Sequence, residues 1–142
     1  MSRAQRTLPG FRSAKREHLH VQALRDGEAL VAVIPGIKLV PGDNAREHWA
    51  TRARRAKNHR SAAEMVLRAK FGRAPELPLV VTITRVGRGR LDTDNLAGSA
   101  KHIRDGIADW VGVDDGNDGY AWRYEQSRGD PAVVIRIEKG EA

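Results

Sequence analysis

The stretch GRGRLDTDNLAGSAKHIRDGIADWVGVDDG, residues 87–116, holds Asp92, Asp94, Asp105, Asp109, Asp114 and Asp115. Like charges gathered this closely repel one another, and the chain around them is basic, with a net charge of +7. A fold has no general reason to collect carboxylates, so a cation is expected between at least some of them. Asp92 and Asp94 are two residues apart where a strand gives way to a helix, and in extended backbone that spacing aims both carboxylates to one side. With Asp94 as the start of the helical register, Gly98, Lys101 and Asp105 share one stripe, opposite Leu96, Ala100 and Ile103. Lys101 then stands about two turns from Asp94 and can lean back toward the carboxylates. Asp114 and Asp115 follow the far end of the helix and reach the same place only if the sheet brings their turn near.

Three or four carboxylates with no His or Cys make a hard, oxygen-only donor set, which suits Mg²⁺ or Mn²⁺ rather than zinc or copper. Beside a cationic surface, the chemistry that uses such a set is phosphodiester hydrolysis. The metal polarises the phosphoryl oxygen and supplies a hydroxide, and a nearby lysine stabilises the transition state. Each residue also has a plainer explanation. Asp94 can be a helix N-cap, Asp92 a turn residue, and Asp114-Asp115-Gly116 an ordinary turn. A Lys101–Asp105 pair at i,i+4 would be a surface salt bridge of little energetic weight. His18, His20, His48, His59 and His102 lack ligand spacing and are expected at the surface or facing DNA. The glycines and aspartates match neither a calcium loop, a dinucleotide fingerprint nor a P-loop. Spacing alone leaves a metal nuclease and a non-enzymatic DNA binder both open.

The opposite charge is concentrated upstream. Residues 46–73 carry nine Lys or Arg against Glu47 and Glu64, enough to attract a phosphate backbone without regard to base sequence. With 142 residues and no cysteine, the chain fits one domain that needs neither a disulfide nor a zinc–thiolate site. No apolar run is long enough to cross a bilayer, and the basic N-terminus lacks the apolar stretch of a secretory signal. The expectation is a soluble, cytoplasmic protein.

The elements that must position these residues are legible in outline. Residues 1–27 form a basic arm without sustained periodicity, and residues 28–142 form the folded domain. EALVAVIPGIKLV predicts a first strand, stopped by Pro-Gly pairs. Asp43 or Asn44 caps a helix from about Ala45 to Lys70, with a narrow apolar stripe (Trp49, Ala53, Ala56, Ala63, Met65, Val66, Leu67) and a broad cationic face. LPLVVTITRV predicts a strand buried on both faces. Leu96, Ala100, Ile103, Ile107 and Trp110 recur at steps of four and three, which predicts one amphipathic helix ended by Gly112. YAWRYEQS and AVVIRIEK close the chain as strands. The order β-α-β-α-β-β implies an α/β (α+β) domain, a small mixed β-sheet covered by two main helices.

LDTDNLAGSAKHIRDGIADWVGVDD resembles the core signature of RusA-type Holliday junction resolvases: Asp-x-Asp-Asn-Leu, a helix with Lys and then Asp, and a following Asp-Asp. The upstream IPGIKLVPGDNAREHWATRARRAKNHR is similar to the family's opening, and the resemblance spans roughly residues 30–138. It implies a homodimer that cuts four-way DNA junctions with Mg²⁺ (or Mn²⁺). It also implies Asp92, Asp94 and Asp115 as metal ligands, with Asp114 as an outer or alternative ligand, and Lys101 as the catalytic lysine. Asn95 would orient a carboxylate or a metal-bound water. In well-known members the lysine follows the second Asp by four residues, where this chain has Gly98, and Lys101 comes one turn later. Arg46, Arg52, Arg54, Arg55, Lys57, Arg60, Arg88 and Arg90 are the expected phosphate contacts. The expected activity is resolution of Holliday junctions by paired nicks in DNA recombination and repair. A fold-retaining DNA binder without activity, and a nuclease for flaps or RNA, are the rival expectations.

Overall fold

The computed structural model describes residues 27–41 and 48–141. The basic arm (Gly27 apart), Asp43, Asn44 and Arg46 lie outside the described residues; the long helix expected from about Ala45 with an Asp43 or Asn44 cap instead starts at Trp49 and is capped by His48, whose Nδ1 accepts from the Ala50 N–H at 3.1 Å. The elements run β1 (Ala29–Pro35), α1 (Trp49–Phe71), β2 (Leu79–Gly87), α2 (Thr93–Ser99), α3 (Lys101–Val111), β3 (Tyr120–Arg128) and β4 (Ala132–Lys139). The protein is a mixed α+β domain with one four-stranded sheet in the order β1-β4-β2-β3. β4 is antiparallel to both β1 and β2, whereas β3 runs parallel to β2. A parallel neighbour requires a crossover rather than a hairpin. Here the crossover is α2 and α3, and it carries the aspartates.

Period-two burial decides which face of the sheet is the core. Ile83 pairs with Ile135 on one side and Tyr124 on the other, and Ile135 pairs with Ala32. These residues, with Val81, Val133, Ile137 and Ile34, form the inner face, closed over by Ala63 and Leu67 of α1 and by Ile103 and Ile107 of α3. The opposite face carries Val31, Val33, Val80, Val86 and Val134, and Val31 and Val33 are exposed.

The helices depart from their sequence pattern in three ways. The helix expected to run unbroken through Leu96–Trp110 is two helices. Ala100 caps both, at φ −95° and ψ 2°, while its side chain stays buried on the shared apolar stripe. On α1, Trp49 and Met65 are exposed rather than part of the stripe. The residues that α1 buries are His59, Ala63 and Leu67, at i, i+4 and i+8, so a histidine expected at the surface lies in the seam. That seam is tight because of Gly106. A β-carbon there would stand 2.2 Å from the Arg60 carbonyl oxygen and 2.8 Å from the Ala63 methyl, so only glycine lets α3 approach α1 this closely.

Candidate functional site

β2 delivers the chain to the DTDN motif, and the first aspartate starts the helix. Asp92 has extended backbone (φ −72°, ψ 171°) and its side chain caps α2. Its Oδ1 accepts from the Asn95 backbone N–H at 2.9 Å, and its Oδ2 accepts from Asn95 Nδ2 at 3.1 Å. Asn95 thus holds the Asp92 carboxylate through both its backbone and its side-chain N–H. The cap is Asp92, and Asp94 stands in the first helical turn, exposed, with no hydrogen bond or ion pair among the described residues. The approach to this corner is fastened to β3: Gln126 donates to the Leu91 carbonyl at 2.8 Å and accepts from the Leu91 N–H at 3.0 Å. A groove of about 730 Å³ opens beside it, lined by Arg90, Asp92 and Thr93 on one wall and Trp122, Tyr124 and Gln126 on the other.

Asp115 takes a different partner. Arg104 Nε donates to its Oδ2 at 2.7 Å, Arg104 NH1 donates to the Tyr124 hydroxyl at 2.9 Å, and the guanidinium lies 4.7 Å from the centre of the Trp122 ring. Trp122 Nε1 donates to the Asp115 carbonyl at 2.9 Å. Burial works against the Arg104 charge, but the bonds to Tyr124 and Asp115 outweigh it and raise its pKa. The two carboxylates thus have different partners, Asn95 for Asp92 and Arg104 for Asp115. Among the described residues no three Asp, Glu, His or Cys side chains gather as a ready metal site. Asp114 Oδ2 accepts from the Gly116 N–H at 3.0 Å, the turn contact expected of that sequence.

Lys101 does not lean back toward Asp94. Its ammonium is 3.4 Å from Asp105 Oδ1, forming the i,i+4 pair, and Asp105 also stands 3.6 Å from His102 Nδ1. Asp105, Asp109, Asp114 and Asp115 line a second recess together with Arg60. Arg60 is bidentate to Asp109, at 2.6 and 2.8 Å. The hydrogen bond and charge of Arg60 hold the Asp109 carboxyl below its ordinary pKa.

The basic residues separate by helical angle. Arg54 and Lys57 point outward and are exposed. Arg60 serves Asp109, while Arg52 and Arg55 line a pocket with His59, Ser99 and His102. Arg88 pairs with Asp130 at 3.5 Å on the open surface, and Arg90 is exposed at the groove.

Three residues with a part in these sites escape a reading of the sequence. Arg104 registers there only as a counter-charge to the aspartates, because its spacing of eleven to Asp115 and twenty to Tyr124 carries no local signal. Arg85, buried in β2, donates to the Leu39 carbonyl at 3.1 Å and the Gly89 carbonyl at 2.8 Å, tying the loop after β1 to the turn that leads to Asp92. His59 is the third.

No protein-family model matches the chain. A 78-residue stretch is 36% identical to an uncharacterized protein of Xylella fastidiosa (strain Temecula1 / ATCC 700964), and the match covers 51% of each chain. The chain therefore spans about half the length of the curated relative it matches. No helix among the described residues is long and apolar enough to cross a membrane.

Proposed function

We propose that this protein is a Mg²⁺-dependent endonuclease of the RusA type, acting on branched DNA and foremost on four-way junctions. The observation that carries the reading is the DTDN corner. A capped carboxylate, Asp92, is held by Asn95 at the mouth of a groove, next to an exposed and unpaired Asp94. A carboxylate has about four acceptor sites, so the two bonds to Asp92 leave it able to bind a metal. Hard oxygen donors of this kind fit Mg²⁺. In this reading Asp92 and Asp94 hold the ion, Asp115 and Asp114 complete the set after Asp115 parts from Arg104, and Lys101 acts at the scissile phosphate. Bound there, the ion supplies a hydroxide and offsets charge on the leaving oxygen. Arg90 and the outward Arg54 and Lys57 offer cations to the DNA backbone. The face of the sheet that no described helix covers, with Val31, Val33 and Val134, supports a two-fold dimer, which matches the symmetry of paired nicks.

A second reading has its own observation. The Arg104–Asp115 pair, which engages one of the proposed metal ligands, favours a branched-DNA-binding protein without cleavage. The deciding experiment is incubation of a synthetic four-way junction with Mg²⁺ and with EDTA, beside linear duplex, flap and RNA controls. Symmetric nicks on the junction, lost in EDTA and lost in Asp92→Asn with junction binding retained, are the expected result. Tight junction binding with no cutting in Mg²⁺ or Mn²⁺ selects the binding protein. Equal or better cutting of flaps or RNA removes the junction from the reading.

A further inference from the structure

We propose that the pocket between α1 and the α2–α3 junction is a binding site for a phosphate group, distinct from the aspartate corner. The pocket measures about 300 Å³, at the small end of ligand cavities. Among the described residues on its walls, every titratable side chain is a cation or can become one: Arg52, Arg55 and His59 from α1, and His102 from α3. Among the described residues no Asp or Glu lines it, and Asp105 stands 3.6 Å from His102 Nδ1. The wall opposite α1 is Gly98, Ser99 and His102, where α3 begins at Ala100 with no side-chain cap.

His59 is the feature that a structural role leaves unexplained. It is only 7% exposed, yet its ring makes no hydrogen bond among the described residues. Buried polar groups are nearly always partnered. Burial, and then the charges of Arg55 and His102, push its pKa down to about 4, so near neutral pH it is an uncharged imidazole with an N–H to donate. A tetrahedral oxyanion answers each feature at once. It accepts from His59, takes the directed donors of arginine, and offsets the mutual repulsion of the cations. Phosphate brings that chemistry either as the free ion or at the end of a nucleic-acid chain. Neither a metal nor cleavage is needed for this binding, so the site stands or falls apart from the nuclease reading.

The test follows the His59 and His102 ring resonances of the full chain by NMR in EDTA, with inorganic phosphate titrated against chloride at constant ionic strength near neutral pH, and with a pH series at zero and at saturating phosphate to read the His59 midpoint. A second arm compares a short 5′-phosphorylated oligonucleotide with the same oligonucleotide lacking its terminal phosphate. The expected result is a saturable shift of both rings, a His59 midpoint raised by at least one pH unit, and at least tenfold weaker binding in Arg52→Gln/Arg55→Gln. Tighter binding of the phosphorylated oligonucleotide than of the free ion or the unphosphorylated strand assigns the site to a chain end. Equal binding of ion and phosphorylated strand assigns it to phosphate alone. Shifts that follow ionic strength only, or that persist unchanged in the double arginine variant, overturn the proposal. Because both arginines lie on partly exposed helix positions, that variant remains folded where a His59 substitution risks the core.

Discussion

Adding one methyl group at Gly106 sets α1 and α3 against each other. The new β-carbon would lie 2.2 Å from the Arg60 carbonyl oxygen, whereas ordinary contact begins at 3.4 Å. The helices must therefore separate by about 1.2 Å at this point, because the obstacle is backbone in mid-helix and cannot swing aside. Overpacking of this kind costs about 1–3 kcal/mol. Alanine returns roughly 0.5–1 kcal/mol of helix propensity. By that arithmetic Gly106→Ala is expected to destabilise the protein by about 1 kcal/mol and by no more than about 2.5 kcal/mol. Urea unfolding reads this directly: at an m-value of about 2 kcal/mol/M the midpoint falls by about 0.5 M. Gly98→Ala is the internal control. It sits in α2, and a β-carbon added there meets nothing within 4 Å, so it should keep the propensity gain and unfold at equal or higher urea. A Gly106→Ala midpoint equal to or above that of the parent would refute the argument that this seam is held at glycine distance. The consequence reaches the sites as well, since Arg52, Arg55 and His59 face His102 across the same seam.

Three further outcomes are expected. His59 has a folded pKa of about 4 against an ordinary 6.5, so between those values the unfolded chain binds the extra proton. Its contribution to stability is present above pH 6.5, falls as pH drops toward 4, and is constant below. The slope is at most about 1.4 kcal/mol per pH unit, and urea midpoints followed across that pH window should lose that component in His59→Gln. Arg54→Gln with Lys57→Gln should weaken DNA binding alike across sequences and reduce the slope of log K against log salt by about 0.9 for each phosphate no longer neutralised; an unchanged slope places the DNA elsewhere. Gly98→Lys puts a lysine four residues after Asp94, into open space. If Lys101 is too far along the helix to serve the scissile phosphate, junction cleavage should rise by roughly tenfold or more, the scale of one well-placed charge at a transition state. An unchanged rate would mean the lysine position does not limit the reaction.

Strand alternation and the β-branched run 79–86 mark β2, β3 and β4 because inward residues in a strand recur with period two, and local chemistry alone produces that pattern. At the DTDN corner the sequence marks a helix start, because capping is a contact between residues three apart, but it offers Asp94 as the cap where the structure uses Asp92. The break at Ala100 is not, because the stripe Leu96, Ala100, Ile103 continues in phase across it and a periodic pattern carries no sign of a kink. Hydrophobicity places Trp49 and Met65 inward, but α1 turns toward α3 the side that Gly106 can admit. That choice buries His59 and leaves two large apolar side chains outside. Lys101 and Asp105 pair by spacing alone. Arg104 meets Asp115, Tyr124 and Trp122 only because the parallel crossover returns the chain to β3. Residue types and local spacing thus determined which groups were available for chemistry. The tertiary structure decided which of them meet, because the partners of a carboxylate or a guanidinium are set by packing between segments distant in sequence.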